Sequence, residues 1–232
     1  MFLVAVVAII IIFTLSNKKG VVKEVDYNPV LKAEDFSTKI TNPYFTLPER
    51  GTIYYKGKTQ DGVERIEIII TGETKVVNGI NTLVYHDKVT LDGELVEDTR
   101  DFLAEDKEGN VWYFGEEVDN YEDGVLVDHD GSWLAGTDGA KPGILMKANP
   151  IVGETYRQEY YKGKAEDMAD VVSITEKLTI GGINYTNCLK TYDYTPLDPE
   201  AKEYKFYCKE VGGLVLEEDI VSGDRVEVTG MK

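Results

Sequence analysis

Asp-Gly, Asn-Gly and Gly-Gly pairs punctuate this chain at short intervals, and they limit what it can fold into. QDG (Gln60 to Gly62), VNG (Val77 to Gly79), LDG (Leu91 to Gly93), KEG (Lys107 to Gly109), EDG (Glu122 to Gly124) and IGG (Ile180 to Gly182) recur along it. Such residues supply the positive φ that tight hairpins need. The stretches between are rich in Val, Ile, Thr and Tyr, as in VERIEIIITGE and INTLVYHDKV, which suits pleated strands. Strands joined by short turns run antiparallel, because parallel neighbours need a long crossover. The sequence therefore predicts an all-β fold, an antiparallel meander of about 12 strands. KAEDMADVV (Lys164 to Val172) is the best candidate for a helix, and a short turn is expected at Lys32 to Phe36.

A second feature organises the meander. Asn42-Pro43, YYKGK (Tyr54 to Lys58), Ile70-Thr71 and Gly79-Ile80-Asn81 recur in the same order as Asn149-Pro150, Tyr160 to Lys164, Ile174-Thr175 and Gly182-Ile183-Asn184. Four matches in register predict a duplicated β unit, residues 42–109 and 149–213, whose halves bury their apolar faces against each other. The expected result is a sandwich or partly open barrel over residues 40–232. Residues 110–148 form an unrepeated insert that holds both tryptophans, and long inserts in compact domains are commonly functional.

The start of the chain sets the compartment. Phe2 to Leu15 is apolar apart from Thr14, and a full span needs roughly 20 residues. Residues 1–17 are read as an apolar helix serving as a signal peptide or membrane anchor, followed by a linker over 18–39. The protein is then extracytoplasmic, either secreted or held to the membrane by this segment. Export would permit a disulfide. Cys188 and Cys208 are the chain's cysteines, placed symmetrically about Asp198 in the turn-rich TPLDPE. In a hairpin about that turn they would face each other at bonding distance; otherwise they are two buried thiols.

Charge and chemistry narrow the function. The net charge is −17, from 42 acidic and 25 basic residues, which disfavours nucleic acid as a partner and is read mainly as a solvated surface. The histidines, His86 and His129, are spread apart and no G-x-S-x-G occurs, so hydrolase triads and zinc sites find little support. Calcium is the one cofactor considered, at Asp119 and Asp123 in DNYEDG and Asp128 and Asp130 in DHDG, although neither forms the twelve-residue calcium loop. Glu166 and Asp167, with Glu116 and Glu117 after the aromatic run, are candidate carboxylates for glycoside hydrolysis, but neighbours on a strand point to opposite faces. Aromatic residues are the strongest hint. Trp112, Tyr113, Trp133, Tyr160 and Tyr161 are candidates to line a cleft for a lipid, a glycan, a peptide or another small molecule.

ITNPYFTL, GNVWYFGE, GSWLAGTDGAKPGI, YRQEYYKGKAEDMADVV and VGGLVLEE together resemble a pattern of exported bacterial β-rich proteins, over most of the chain after Ile40. The resemblance implies export and a β fold, and it implies no activity or site residue. The expected function is a non-catalytic extracytoplasmic domain that binds a small molecule or an envelope protein in an aromatic cleft. The alternatives are a hydrolase of envelope or extracellular polymer using acidic residues, and a structural surface or assembly protein.

Overall fold

The computed structural model describes residues 27–232. The apolar run Phe2 to Leu15 and linker residues 18–26 lie outside the described residues. Among the described residues the fold is all-β, with one 3-10 turn at Ala33–Asp35 and no helix long and apolar enough to cross a membrane.

The strands close into a nearly complete antiparallel barrel. Its wall runs from Val111–Glu122 through Glu94–Asp106, Ile80–Leu91, Val63–Ile70 and Gly51–Lys58 to the C-terminal strand Arg225–Met231. It continues through Gly213–Asp219, Asp198–Cys208, Ile183–Thr195 and Met168–Ile180. The seam is made by short pieces. Thr155–Arg157 pairs with Met168–Ile180, Glu159–Tyr160 pairs with Lys141–Met146, and that strand returns to Val111–Glu122. Gly143 belongs at this seam because a Cβ there would collide with Gln158 O. The insert 110–148 thus supplies two staves of the wall.

The turn signals act as their chemistry requires. Asn78-Gly79, Asp92-Gly93, Asp123-Gly124 and Gly181-Gly182 all have positive φ at both residues, the geometry whose twist matches the flanking strands. Two segments depart from expectation. KAEDMADVV is not helical, since Met168 onward is strand and pairs on both sides; strand pairing overrides local propensity. YYKGK takes two conformations. Tyr54 to Lys58 lies within a strand paired on both sides. Tyr160 to Lys164 ends a strand and turns, with Gly163 at φ 72° and Ala165 N donating to Tyr161 O at 2.8 Å.

One end of the barrel is plugged by Ile40 to Leu47. Asn42 Nδ2 donates to Gly109 O at 2.8 Å and Lys147 O at 3.1 Å, while its Oδ1 accepts from Tyr44 N at 2.9 Å. This fixes the turn that drives Tyr44 and Phe45 into the main core, beside Phe102, Leu103, Phe114, Met146 and Leu189. A second apolar cluster, with Ile180, Tyr185, Phe206, Val215 and Leu216, surrounds a disulfide between Cys188 and Cys208. The bond crosses the hairpin in which Leu189 faces Tyr207, with the two Cα atoms 4.3 Å apart.

The disulfide closes a loop of 20 residues. Replacing both cysteines by alanine should lower stability in urea by about 3 kcal/mol, chiefly by freeing the unfolded chain. Unchanged unfolding would remove the bond from the account of this hairpin.

Candidate functional site

Above the Phe45 plug the barrel encloses a cavity of about 220 Å³. Its lower part is apolar, with Phe45, Ile68 and Leu103, and its middle is acidic. Half-buried Tyr194, Thr195, Ala201 and Lys202, at the far end of the hairpin that carries the disulfide, also line it and form its rim.

Two facing walls carry the charge, with other staves between them on either side. One wall spans Ile80–Leu91, Glu94–Asp106 and Val111–Glu122. Alternation sends Tyr85 and Asp87 inward from the first strand and Glu97, Thr99 and Asp101 from the second. The third adds Tyr113 and Glu116 on either side of a bulge at Gly115, so that Glu116 faces Asp101 across the pair. The other wall spans Ile183–Thr195, Asp198–Cys208 and Gly213–Asp219, with Asp193 opposite Glu203 and Lys205 opposite Glu217.

The walls differ in how their charge is met. On the second, the Lys205 ammonium lies 2.8 Å from Glu203, 3.7 Å from Glu217 and 3.8 Å from Asp193. Burial works against this ammonium, but Glu203, Glu217, Tyr207 and Asp193 outweigh it and hold its pKa well above the usual value. On the first wall, no cation among the described residues lies within 4 Å of Asp87, Glu97, Asp101 or Glu116. Hydroxyls and, at Asp101, a backbone hydrogen bond help there. Tyr113 donates to Asp101 at 2.5 Å and Thr99 to Glu97 at 2.7 Å. Burial raises Asp101 from 3.8 to about 7 against the Tyr113 bond, and burial with neighbouring carboxylates pushes Asp87 and Glu116 well above the carboxylate range. Asp167 and Asp193 are raised to about 6, again first by burial.

Two carboxylates that line this space each keep one buried oxygen without a hydrogen-bond partner, Asp87 Oδ1 and Asp193 Oδ1. Asp193 is 5% exposed. Its Oδ2 accepts a long bond from Gln158 at 3.4 Å, and the nearby Thr191 hydroxyl favours its charged form yet is itself outside hydrogen-bond geometry. Orphaned buried acceptors of this kind are costly unless something meets them.

The residues singled out from sequence fall in different places. Tyr113 lines the cavity. Trp133 is buried behind it, edge-on at 5.5 Å between ring centres. Trp112 packs edge-on against Phe36 and donates to Asp106 at 2.7 Å. Tyr160 packs tilted against Tyr27 and lies under Arg157, where residue 27 meets the seam, and Tyr161 lies beneath Lys164. The expected cleft of Trp112, Tyr113, Trp133, Tyr160 and Tyr161 is therefore not assembled, because alternate faces and separate staves hold them. Asp167 lines the cavity, whereas Glu166 accepts from Gly163 N at 2.7 Å and serves the turn.

The proposed calcium ligands are also dispersed. Asp119 pairs with His129 at 2.8 Å. Asp128 accepts from Asn120 and Asp130 N, and Asp123 is a turn residue. No three of Asp119, Asp123, Asp128 and Asp130 bring ligand oxygens within 4.8 Å of one another. His86 binds Asp98 at 2.6 Å beside Lys88, away from the cavity lining. Of the carboxylate candidates after the aromatic run, Glu116 lines the cavity and Glu117 does not; the sequence did not single out Asp87, Glu97, Asp101, Asp193 and Lys205. Their signal is the polar alternation Glu97-x-Thr99-x-Asp101 and Glu203-x-Lys205-x-Tyr207, which places charge rather than oil on an inward face.

The raised carboxylates make stability depend on pH. Asp101, Asp167 and Asp193 hold protons more tightly folded than unfolded, so between pH about 4 and about 7 the native state binds more protons and stability falls as pH rises. The urea midpoint should drop between pH 5 and pH 8. Asp101→Asn, which keeps an acceptor for Tyr113, should flatten that slope and stabilise the protein at pH 8 by about 1–3 kcal/mol, since one pKa unit is about 1.4 kcal/mol. A midpoint that is level or rises over this range contradicts the assignment.

No protein-family model matches the chain, and no curated protein matches it. Among solved structures it is similar to a crystal structure of a candidate lipoprotein from Parabacteroides distasonis, with TM-score 0.42 and 15% identity, over 82% of this chain and 98% of that one.

Proposed function

We propose that the protein is a non-catalytic, extracytoplasmic binding domain that takes a small molecule into the barrel. The observation that carries this reading is the cavity of about 220 Å³. It combines tyrosines, convergent polar groups and two unpartnered buried oxygens, the composition of a small-molecule site. The Cys188–Cys208 disulfide supports an oxidising compartment. The apolar run Phe2 to Leu15 is the proposed route there, as a cleaved signal or a retained anchor.

The polymer hydrolase is the second reading, favoured by the raised pKa of Asp167 and Asp101 in one cavity; a carboxyl near neutrality is suited to general acid work. Geometry weighs against it. A polymer needs an open cleft, and these groups lie inside the wall. Glu166, the other candidate of the adjacent pair, is bonded to the turn at Gly163.

Ala201→Trp would narrow the rim from the strand that carries Glu203 and Lys205, leaving every carboxylate of the walls in place. Equilibrium dialysis of the full chain against culture filtrate, read by mass spectrometry, should show a small molecule retained by the wild type and lost from Ala201→Trp. Equal retention by both proteins, or none by either, contradicts interior binding. Alkylation of unreduced protein should leave Cys188 and Cys208 unlabelled; full labelling contradicts the oxidising compartment.

A further inference from the structure

The two walls are unequal, and the inequality points to the ligand's charge. The wall of Asp193, Glu203 and Glu217 already contains its ammonium, supplied by Lys205. It shows how this interior treats such a group: carboxylates surround it at 2.8–3.8 Å and keep it protonated against the cost of burial. The wall of Asp87, Glu97, Asp101 and Glu116 has a similar density of carboxylates and no cation from the described residues.

Second, the orphaned oxygens sit on both walls, Asp87 Oδ1 on one and Asp193 Oδ1 on the other. Each belongs to a carboxylate that lines the cavity, so a ligand lying between the walls meets an under-satisfied carboxylate on each side. Third, the spacing disfavours a single metal ion. No three carboxylates of the cavity each bring an oxygen within 4.8 Å of the others, whereas a calcium ion gathers six to eight oxygens at about 2.3–2.6 Å. Spread acceptors suit an extended cation. Fourth, Tyr85, next inward from Asp87 on the same strand, and Tyr55 line the same space. Aromatic faces attract alkylammonium groups most when water is excluded.

We infer that the cavity binds a small organic diammonium compound, one ammonium held by the Asp87, Glu97, Asp101 and Glu116 wall and the other donor directed to Asp193. This rests on the interior-binding reading above and adds the chemical class of the ligand. The bound cation replaces the missing counter-charge of the first wall. In its absence the carboxyls of that wall hold their protons more tightly than usual.

The test uses the full chain and 1,4-diaminobutane as probe, with 1,4-butanediol as the neutral analogue and calcium chloride as the metal control. Calorimetry at pH 7.5 should show diamine binding, with a matching rise in the thermal midpoint and no response to the diol or to calcium. Asp87→Asn and Glu97→Gln should each weaken diamine binding tenfold or more. Ligand-free Asp87→Asn should melt higher than the wild type, because the wild-type carboxyl ionises more readily in the unfolded chain than in the fold and the amide does not ionise. A residue with only a structural role would not raise stability while losing the ligand. Diol binding equal to diamine binding and unchanged in Asp87→Asn overturns the charge assignment and leaves interior binding standing. Calcium binding that Asp87→Asn abolishes, without diamine binding, overturns it in favour of a metal. Failure of all three probes, together with no retained molecule from culture filtrate, overturns both readings.

Discussion

The Lys205 ammonium is the interaction on which the interior depends. Its side chain is 14% exposed, and bringing a charge largely out of water costs several kcal/mol unless partners surround it. Glu203, Glu217 and Asp193 do so from three adjacent strands. Their convergence requires that Ile183–Thr195, Asp198–Cys208 and Gly213–Asp219 hold strict alternation, since a slip of one residue would send every one of these side chains outward. The disulfide lies on the middle strand and its neighbour, below this layer, and pins that register.

The rest of the barrel is arranged about the same layer. The apolar part of the core lies toward the plugged end, where Asn42 fixes the segment that inserts Tyr44 and Phe45. Above it the staves turn polar inside. Much of what composition suggests as surface charge is thus interior charge. An all-apolar filling would make a more stable barrel, because raised carboxylates are a standing cost near neutral pH. Under the proposed ligand reading, counter-charge from a bound cation is the use that the unpaired first wall fits.

The architecture was legible in the sequence where local chemistry decides it. Asn78-Gly79 and Asp92-Gly93 could hardly be other than hairpin turns, and the symmetric placing of Cys188 and Cys208 about Asp198 gave the register of one hairpin. The site was less legible. Strand Glu94–Asp106 presents Glu97 and Asp101 on one face and Asp98 and Arg100 on the other, so alternation alone does not say which face is inside. That depends on closure through the seam at Pro142 and Glu159, a long-range pairing with no local signature. The aromatic clusters misled for a related reason. Trp112 and Tyr113 are adjacent, so only one of them can face the cavity. YYKGK shows the same limit, with Gly57 extended between two partner strands and Gly163 left-handed in a turn.

The central claim is that the carboxylates of the first wall are inside, crowded and without a counter-ion. Carboxyl-carbon NMR of the ligand-free full chain, titrated from pH 3 to 9, reads this directly. The account predicts that Asp101 titrates near 7 and that Asp87 and Glu116 titrate well above the ordinary carboxylate range. Titration of all three near pH 4 would place them in water and contradict it.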